Sequence, residues 1–253
     1  MKEKKISPVY RVVKWFLRLF YGKVESIGME NIPQEPAIYV SNHAQLNGPI
    51  SSELFFPVER YTWCVGDLLH KKDSRPYVFQ DFWSQKPKRS QWFYKLMSYV
   101  VAPILCFVNT NADTIGVYHD ARLLSTFKES IRCLQDGKSV VIFPEQDKPH
   151  NHIVYDFQPY FIDLAKLYYK RTGKEVLFVP FYVAPRLRQM HFGTPVRFSA
   201  TEDMDTERER IRQYLMDNIT QLAENLPEHT VVPYRNIPRK LYPKNTAKEV
   251  RSQ

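Results

Sequence analysis

The strongest constraint on this chain is a recurring pattern in which a short apolar run empties into a polar loop. Ala37-Ile38-Tyr39-Val40 lies between Pro36 and a loop holding Asn42, Gly48 and Pro49. Ser139-Val140-Val141-Ile142-Phe143 runs into Pro144-Glu145-Gln146-Asp147-Lys148, and Val176 to Val183 forms a third run. Short apolar runs bounded by turn formers read as buried strands. Helical periods alternate with them. Thr114 to Gly137 carries Leu123, Leu124, Phe127, Ile131 and Leu134 on one face, with Gly137 placed to end the helix. Pro159 to Tyr169, stopped near Gly173, and Asp205 to Asn225, with Ile211, Leu215, Ile219 and Leu222, are two more. This order predicts an α/β fold, a mixed and mostly parallel sheet flanked by helices.

Other segments carry weaker signals. Pro180 would break a central ladder, so the third strand is expected to end there or lie at an edge. Gly193 to Phe198 reads as a last strand, and Tyr99 to Val108, interrupted by Pro103, as a helix end followed by a strand. Phe55 to Ser90 shows no clear period, and the chain beyond Pro227 reads as extended or without fixed structure.

His43 stands just past the first run, at a strand end well placed for chemistry. Two roles are open: a general base, or a turn histidine bonded to backbone. The second strand end offers Glu145 and Asp147 as carboxylates.

Taken together, Asn42-His43 after one strand, Phe143-Pro144-Glu145 after another, and Val179-Pro180-Phe181-Tyr182-Val183 resemble the ordered blocks of the glycerolipid acyltransferases, which include enzymes that acylate lysophosphatidic acid. The resemblance spans roughly Ile27 to Ala200. It implies transfer of an acyl group from a thioester donor, acyl-CoA or acyl carrier protein, to a hydroxyl of a lipid acceptor, with His43 as general base and no further cofactor. In that family an aspartate five residues after the histidine orients the imidazole, and Gly48 stands there in this chain. Asp147 or Glu145, or the amide oxygen of Asn47, would then hold the ring. The block that helps bind the acceptor's phosphate appears as Phe107-Val108-Asn109-Thr110-Asn111, which adds Asn109, Thr110 and Asn111 to Asn42 and Asn47 as substrate contacts. The third block keeps Phe143, Pro144 and Glu145, and its Lys148 supplies a charge without the fork of arginine. Two outcomes stay open: acyl transfer to an acceptor other than a glycerol phosphate, or a non-catalytic lipid- or acyl-binding protein.

Thirty-six Lys and Arg against 27 Asp and Glu give a net charge of +9, which points to an anionic partner. No nucleic-acid reading motif accompanies the charge. From Val9 to Tyr21, Arg11, Lys14 and Arg18 recur at spacings of three and four among bulky apolar residues, one stripe on a helix. That pattern predicts an amphipathic helix with its cations in anionic headgroups, and a helix packed on the domain with its stripe in water is the other reading. Aromatics and cations also mingle around Trp83, Lys86, Lys88, Arg89 and Trp92, as an acyl-chain or membrane contact or as a core edge. No run reaches the roughly 20 apolar residues of a spanning helix, and charges interrupt any secretory signal. Peripheral attachment at the cytoplasmic face of the membrane is expected.

These readings divide the chain into a membrane-surface helix (1–26), an acyltransferase-like α/β domain (27–226) and a basic tail (227–253). Cys64, Cys106 and Cys133 are too scattered for a disulfide framework, and Cys106 and Cys133 read as core thiols. His150 and His152 with Asp147 and Asp156 fit no metal-ligand spacing, so no metal is expected. An esterase elbow, Gly-x-Ser-x-Gly, is absent from the sequence.

Overall fold

The computed structural model describes residues 7–84, 86–118 and 120–247, which leaves the ends of the expected N-terminal helix segment and tail, 1–6 and 248–253, outside the described residues. Helix α1 (Pro8–Tyr21) leads through β1 (Glu25–Ile27) to β2 (Ile38–Ser41) and α2 (Asn47–Phe55). Then come β3 (Arg60–Val65), a hairpin of α3 (Lys71–Trp83) and α4 (Gln91–Asn111), β4 (Thr114–Val117) and α5 (Leu123–Gln135). β5 (Ser139–Ile142), the ribbon of β6 (Glu145–Pro149) and β7 (Tyr155–Phe157), and α6 (Asp163–Thr172) follow. β8 (Leu177–Ala184), β9 (Gln189–Phe192), β10 (Val196–Arg197) and α7 (Met204–Glu224) complete the order.

The main sheet runs β1-β9-β8-β2-β5-β3-β4, with β10 beside β8. β8, β2, β5, β3 and β4 are mutually parallel, while β9 and β10 meet β8 antiparallel. The chain therefore forms the mixed, mostly parallel α/β sheet its sequence predicts. Side chains alternate across this sheet. Ile38, Val40, Val140, Ile142 and Phe178 face a core closed by Phe127 and Ile131 of α5, Leu164 of α6 and Ile211 and Leu215 of α7. Tyr39, Val141, Val179 and Phe181 face a second core with Phe55, Phe56 and Phe192. Burial on both faces is why these strands read as continuous apolar runs.

β8 passes straight through Pro180, between β2 on one side and β9 and β10 on the other, so the expectation of an edge is corrected. The Pro180 carbonyl accepts from the Gly193 N–H at 2.8 Å. A strand residue points its N and O to the same side, so the missing N–H faces the seam between β9 and β10 and costs β2 nothing.

Residues 99–108 are not a helix end plus strand, because α4 continues through Pro103. Its buried face, Ser98, Ala102 and Cys106, holds it on the domain despite the one backbone bond the proline removes. Residues 88–111 form a helix long and apolar enough, by length and composition, to cross a membrane, where the sequence reading found no such run. Lys95, Ser98 and Pro103 break the run without making the helix polar.

Residues 114–117 are strand rather than helix, and Leu124 is exposed. The patternless stretch 55–90 holds β3 and α3. β3 begins with a buried arginine, Arg60, that donates to the Ser52 carbonyl at 2.6 Å and pairs with Glu53 at 2.8 Å, which spoils any apolar signature. The tail folds back: His229, Val231 and Asn245 are buried, and Thr230 bridges Lys244.

Candidate active site

β2 and β5 lie parallel with Val40 opposite Ile142. Three further residues along each strand bring His43 and Glu145 together at the carboxyl edge of the sheet, the edge at which open α/β sheets bind ligands. The His43 N–H donates to Glu145 Oε2 at 2.5 Å, and the Tyr155 N–H to Oε1 at 2.8 Å. Glu145 is buried and occupied by two main-chain donors. Burial pushes its pKa up to about 7 against the opposing pull of those N–H groups.

Ala44 and Gln45 both adopt left-handed backbone, with φ of 46° and 55°. This turn folds the Gln45 carbonyl onto the imidazole, where it meets Nδ1 of His43. A carbonyl only accepts, so Nδ1 carries the proton and Nε2 keeps its lone pair. Among the described residues, the hydrogen bonds of His43 involve its N–H, its carbonyl and Nδ1, and none involves Nε2. Burial holds the imidazole below its usual range, opposed by the Gln45 bond, so the ring is neutral at neutral pH. Phe143 and Tyr234 flank it, with ring centres 5.3 and 5.8 Å away.

Neither carboxylate orients the imidazole, a correction to the sequence reading. Asp147 pairs with Arg235 at 3.2 Å, and Glu145 grips main chain. Asn47 does not hold the ring either: its Oδ1 accepts from the Tyr21 hydroxyl at 3.1 Å and its Nδ2 donates to the Ala44 carbonyl at 2.9 Å. Asn42 is buried, accepting from the Val183 N–H at 2.8 Å and donating to its carbonyl at 3.2 Å, which ties β2 to β8. Asn109, Thr110 and Asn111 precede β4 and so stand at the amino edge of the parallel sheet, opposite His43. Their side chains bond to the Leu105, Cys106 and Phe107 carbonyls. Lys148 pairs with Asp156 at 3.5 Å. The Gly48 N–H donates to the His43 carbonyl. A Cβ at Gly48 would stand 2.6 Å from that oxygen and 2.8 Å from the Phe143 ring, so the loop has no room for a carboxylate there.

No protein-family model and no curated protein matches this chain. Among solved structures it is similar to the 1-acyl-sn-glycerophosphate (LPA) acyltransferase PlsC from Thermotoga maritima. The TM-score is 0.49 and the identity 17%, covering 87% of this chain and 81% of that one.

The carboxyl edge also receives residues the sequence reading passed over. Asp67, just past β3, and Arg122, past β4, join Asp73, Pro76, Tyr77 and Gln80 around an open cleft of about 550 Å³. Arg122 pairs with Asp120 at 2.8 Å and stacks 4.1 Å over the Tyr118 ring. Burial, and then Asp81, raise the hydroxyl pKa of both Tyr77 and Tyr234. The signal for Arg122 was a further strand emptying into a polar loop at 114–122, hidden by the helical period that follows it.

α1 faces the opposite way from its sequence reading. Lys14 bonds Glu53 at 2.5 Å, the Tyr10 hydroxyl bonds it at 2.8 Å, and Arg18 donates to the Leu54 carbonyl at 2.6 Å. Against the upward push of burial, Arg60 and Lys14 hold Glu53 below the usual carboxylate range. Lys14 and Arg18 of α1 therefore dock on α2, and Trp15, Leu19 and Phe20 point outward, Phe20 being 82% exposed. Elsewhere, Cys133 is a buried thiol pushed up to about 12 by burial, as a core residue would be. Among the described residues no three His, Cys, Asp or Glu side chains converge; His152 bonds the Asn245 carbonyl and Asp156 pairs with Arg212.

Proposed function

We propose that this chain transfers an acyl group from a thioester, acyl-CoA or acyl carrier protein, to a hydroxyl of a lipid-like acceptor. The observation that carries the reading is the Gln45 carbonyl on Nδ1 of His43, which leaves Nε2 as an unprotonated base at the carboxyl edge of the sheet. Nε2 takes the hydroxyl proton as the oxygen attacks the thioester carbon, and the proton passes to the departing thiolate when the tetrahedral intermediate collapses. General base catalysis of this kind contributes about 10² to 10⁴ in rate. A backbone carbonyl stabilises the imidazolium less than a carboxylate does, yet it fixes the productive tautomer, whose loss is the larger part of the damage when a triad aspartate becomes an amide.

The outward apolar face of α1 supports peripheral work on a membrane, and the buried thiols Cys106 and Cys133 suit a reducing, cytoplasmic-side setting. A second reading, binding of lipid or acyl chains without chemistry, is favoured by Tyr234 standing edge-on to His43 and by the lack of a carboxylate on its ring. The two are separated by incubating the protein and anionic vesicles with labelled acyl-CoA and a panel of lysophospholipids, glycolipids and alcohols. Acyl product equal to thiol released supports transfer, and saturable acyl-CoA binding with no product supports the second reading.

A further inference from the structure

α4 has two unlike faces. Ser98, Ala102 and Cys106 are buried at four-residue spacing, while Leu96, Val100 and Ile104 repeat that spacing and are 59%, 57% and 56% exposed. An offset of two residues is about 200° around a helix, so the small side chains face the protein and the bulky ones face away. Trp92 extends the outer stripe toward the start of the helix. An apolar stripe of this length is rarely left bare in water.

Charge indicates what covers it. Residues 71–111 carry seven Lys and Arg against two Asp, five of the nine net positive charges of the chain. Lys86, Lys88 and Arg89 are exposed in the turn that enters α4, next to Trp92. Cations beside an aromatic at one end of an apolar stripe match the headgroup boundary of an anionic membrane.

We propose that α4 lies in the plane of an anionic bilayer, with Leu96, Val100 and Ile104 among the acyl chains and Lys86, Lys88 and Arg89 at the lipid phosphates. Its other face stays on the protein, so the helix does not cross. α1 adjoins it, the Tyr10 ring 6.5 Å from that of Phe107, and carries exposed Trp15, Leu19 and Phe20 of its own. α3, packed on α4, lines the cleft with Pro76 and Tyr77, so an acceptor would enter that cleft from the lipid side. This inference rests on the reading that the substrate is a lipid at a membrane.

The test is sedimentation of the full chain carrying His43→Ala, which removes the chemistry but not the docking surface, with phosphatidylcholine vesicles and with vesicles containing phosphatidylglycerol. Leu96→Glu/Val100→Glu/Ile104→Glu in that background should weaken binding by about tenfold or more. Should the triple variant unfold, Val100→Gln/Ile104→Gln is read instead, with a smaller loss in the same direction. Lys86→Gln/Lys88→Gln/Arg89→Gln should lose roughly fivefold per cation on anionic vesicles only. Undiminished binding of a folded stripe variant overturns the proposal. So does a dimer that the stripe variant converts to monomer, because a second copy would then cover the stripe. Vesicle binding in this assay together with no acyl product from the parent protein, which keeps His43, removes the catalytic reading and leaves this one standing.

Discussion

The Gln45 carbonyl oxygen accepts the Nδ1 proton of His43, and this one bond decides which ring nitrogen is left basic. The same loop is braced from below by Asn47 on Ala44 and from above by the Gln45 side chain, which donates to the Tyr242 hydroxyl at 2.8 Å. The tail beyond α7 thus bears on the orientation of the imidazole.

Burial lowers the His43 pKa, so the ring stays unprotonated through neutrality and the base form is lost only on acidification. Acyl transfer should be level near neutral pH and fall along an acid limb centred below about 6.5. A rate that already halves above that value would contradict the neutral imidazole.

Asp147→Asn should leave turnover within about twofold of the parent and unfolding nearly unchanged, since an exposed ion pair such as Asp147–Arg235 contributes about 0–1 kcal/mol. Steady-state rates and thermal melts check this. A large loss of turnover alone would return Asp147 to the catalytic site.

Glu145→Ala should destabilise the fold by about 1–3 kcal/mol for each main-chain donor it strands, those of His43 and Tyr155. Because burial raises the folded pKa of Glu145 to about 7, the folded state holds this proton more tightly than the unfolded chain. Its contribution is therefore full below the ordinary glutamate range, about 4.3, and is lost as pH rises through about 7. Urea unfolding across that window should show a steeper decline for the parent than for Glu145→Gln, which does not titrate. Parallel curves would contradict the raised pKa.

Gly48→Asp puts a carboxylate five residues after His43 but should not supply one that orients the ring. The added Cβ meets the His43 carbonyl at 2.6 Å, so the loop must shift. Overpacking of this kind typically costs about 1–3 kcal/mol. Turnover should fall along with stability, and a Gly48→Asp protein of higher activity would show that the loop opens to admit a carboxylate.

β2, β5 and β8 were legible in sequence because each is buried on both faces, and His43 and Glu145 because each follows such a strand. β3 was not legible, since Arg60 stands inside the fold only by virtue of Glu53 on α2. The direction of α1 was hidden for the same reason: its stripe was visible, but the counter-charge that turns it inward lies on another element. The group that orients His43 left no trace either. Ala44 and Gln45 are not residues that announce a left-handed turn, and a main-chain carbonyl has no sequence signature. Asn109 to Asn111 were placed by the order of blocks, and the continuation of α4 past Pro103 carries them to the far edge of the sheet.

Whether Nε2 of His43 is the base for acyl transfer is decided by comparing initial rates of labelled acyl transfer for the parent and His43→Ala on the same anionic vesicles. A fall of about 10² to 10⁴ with unchanged vesicle binding is expected. An equal rate in the two proteins would contradict that role.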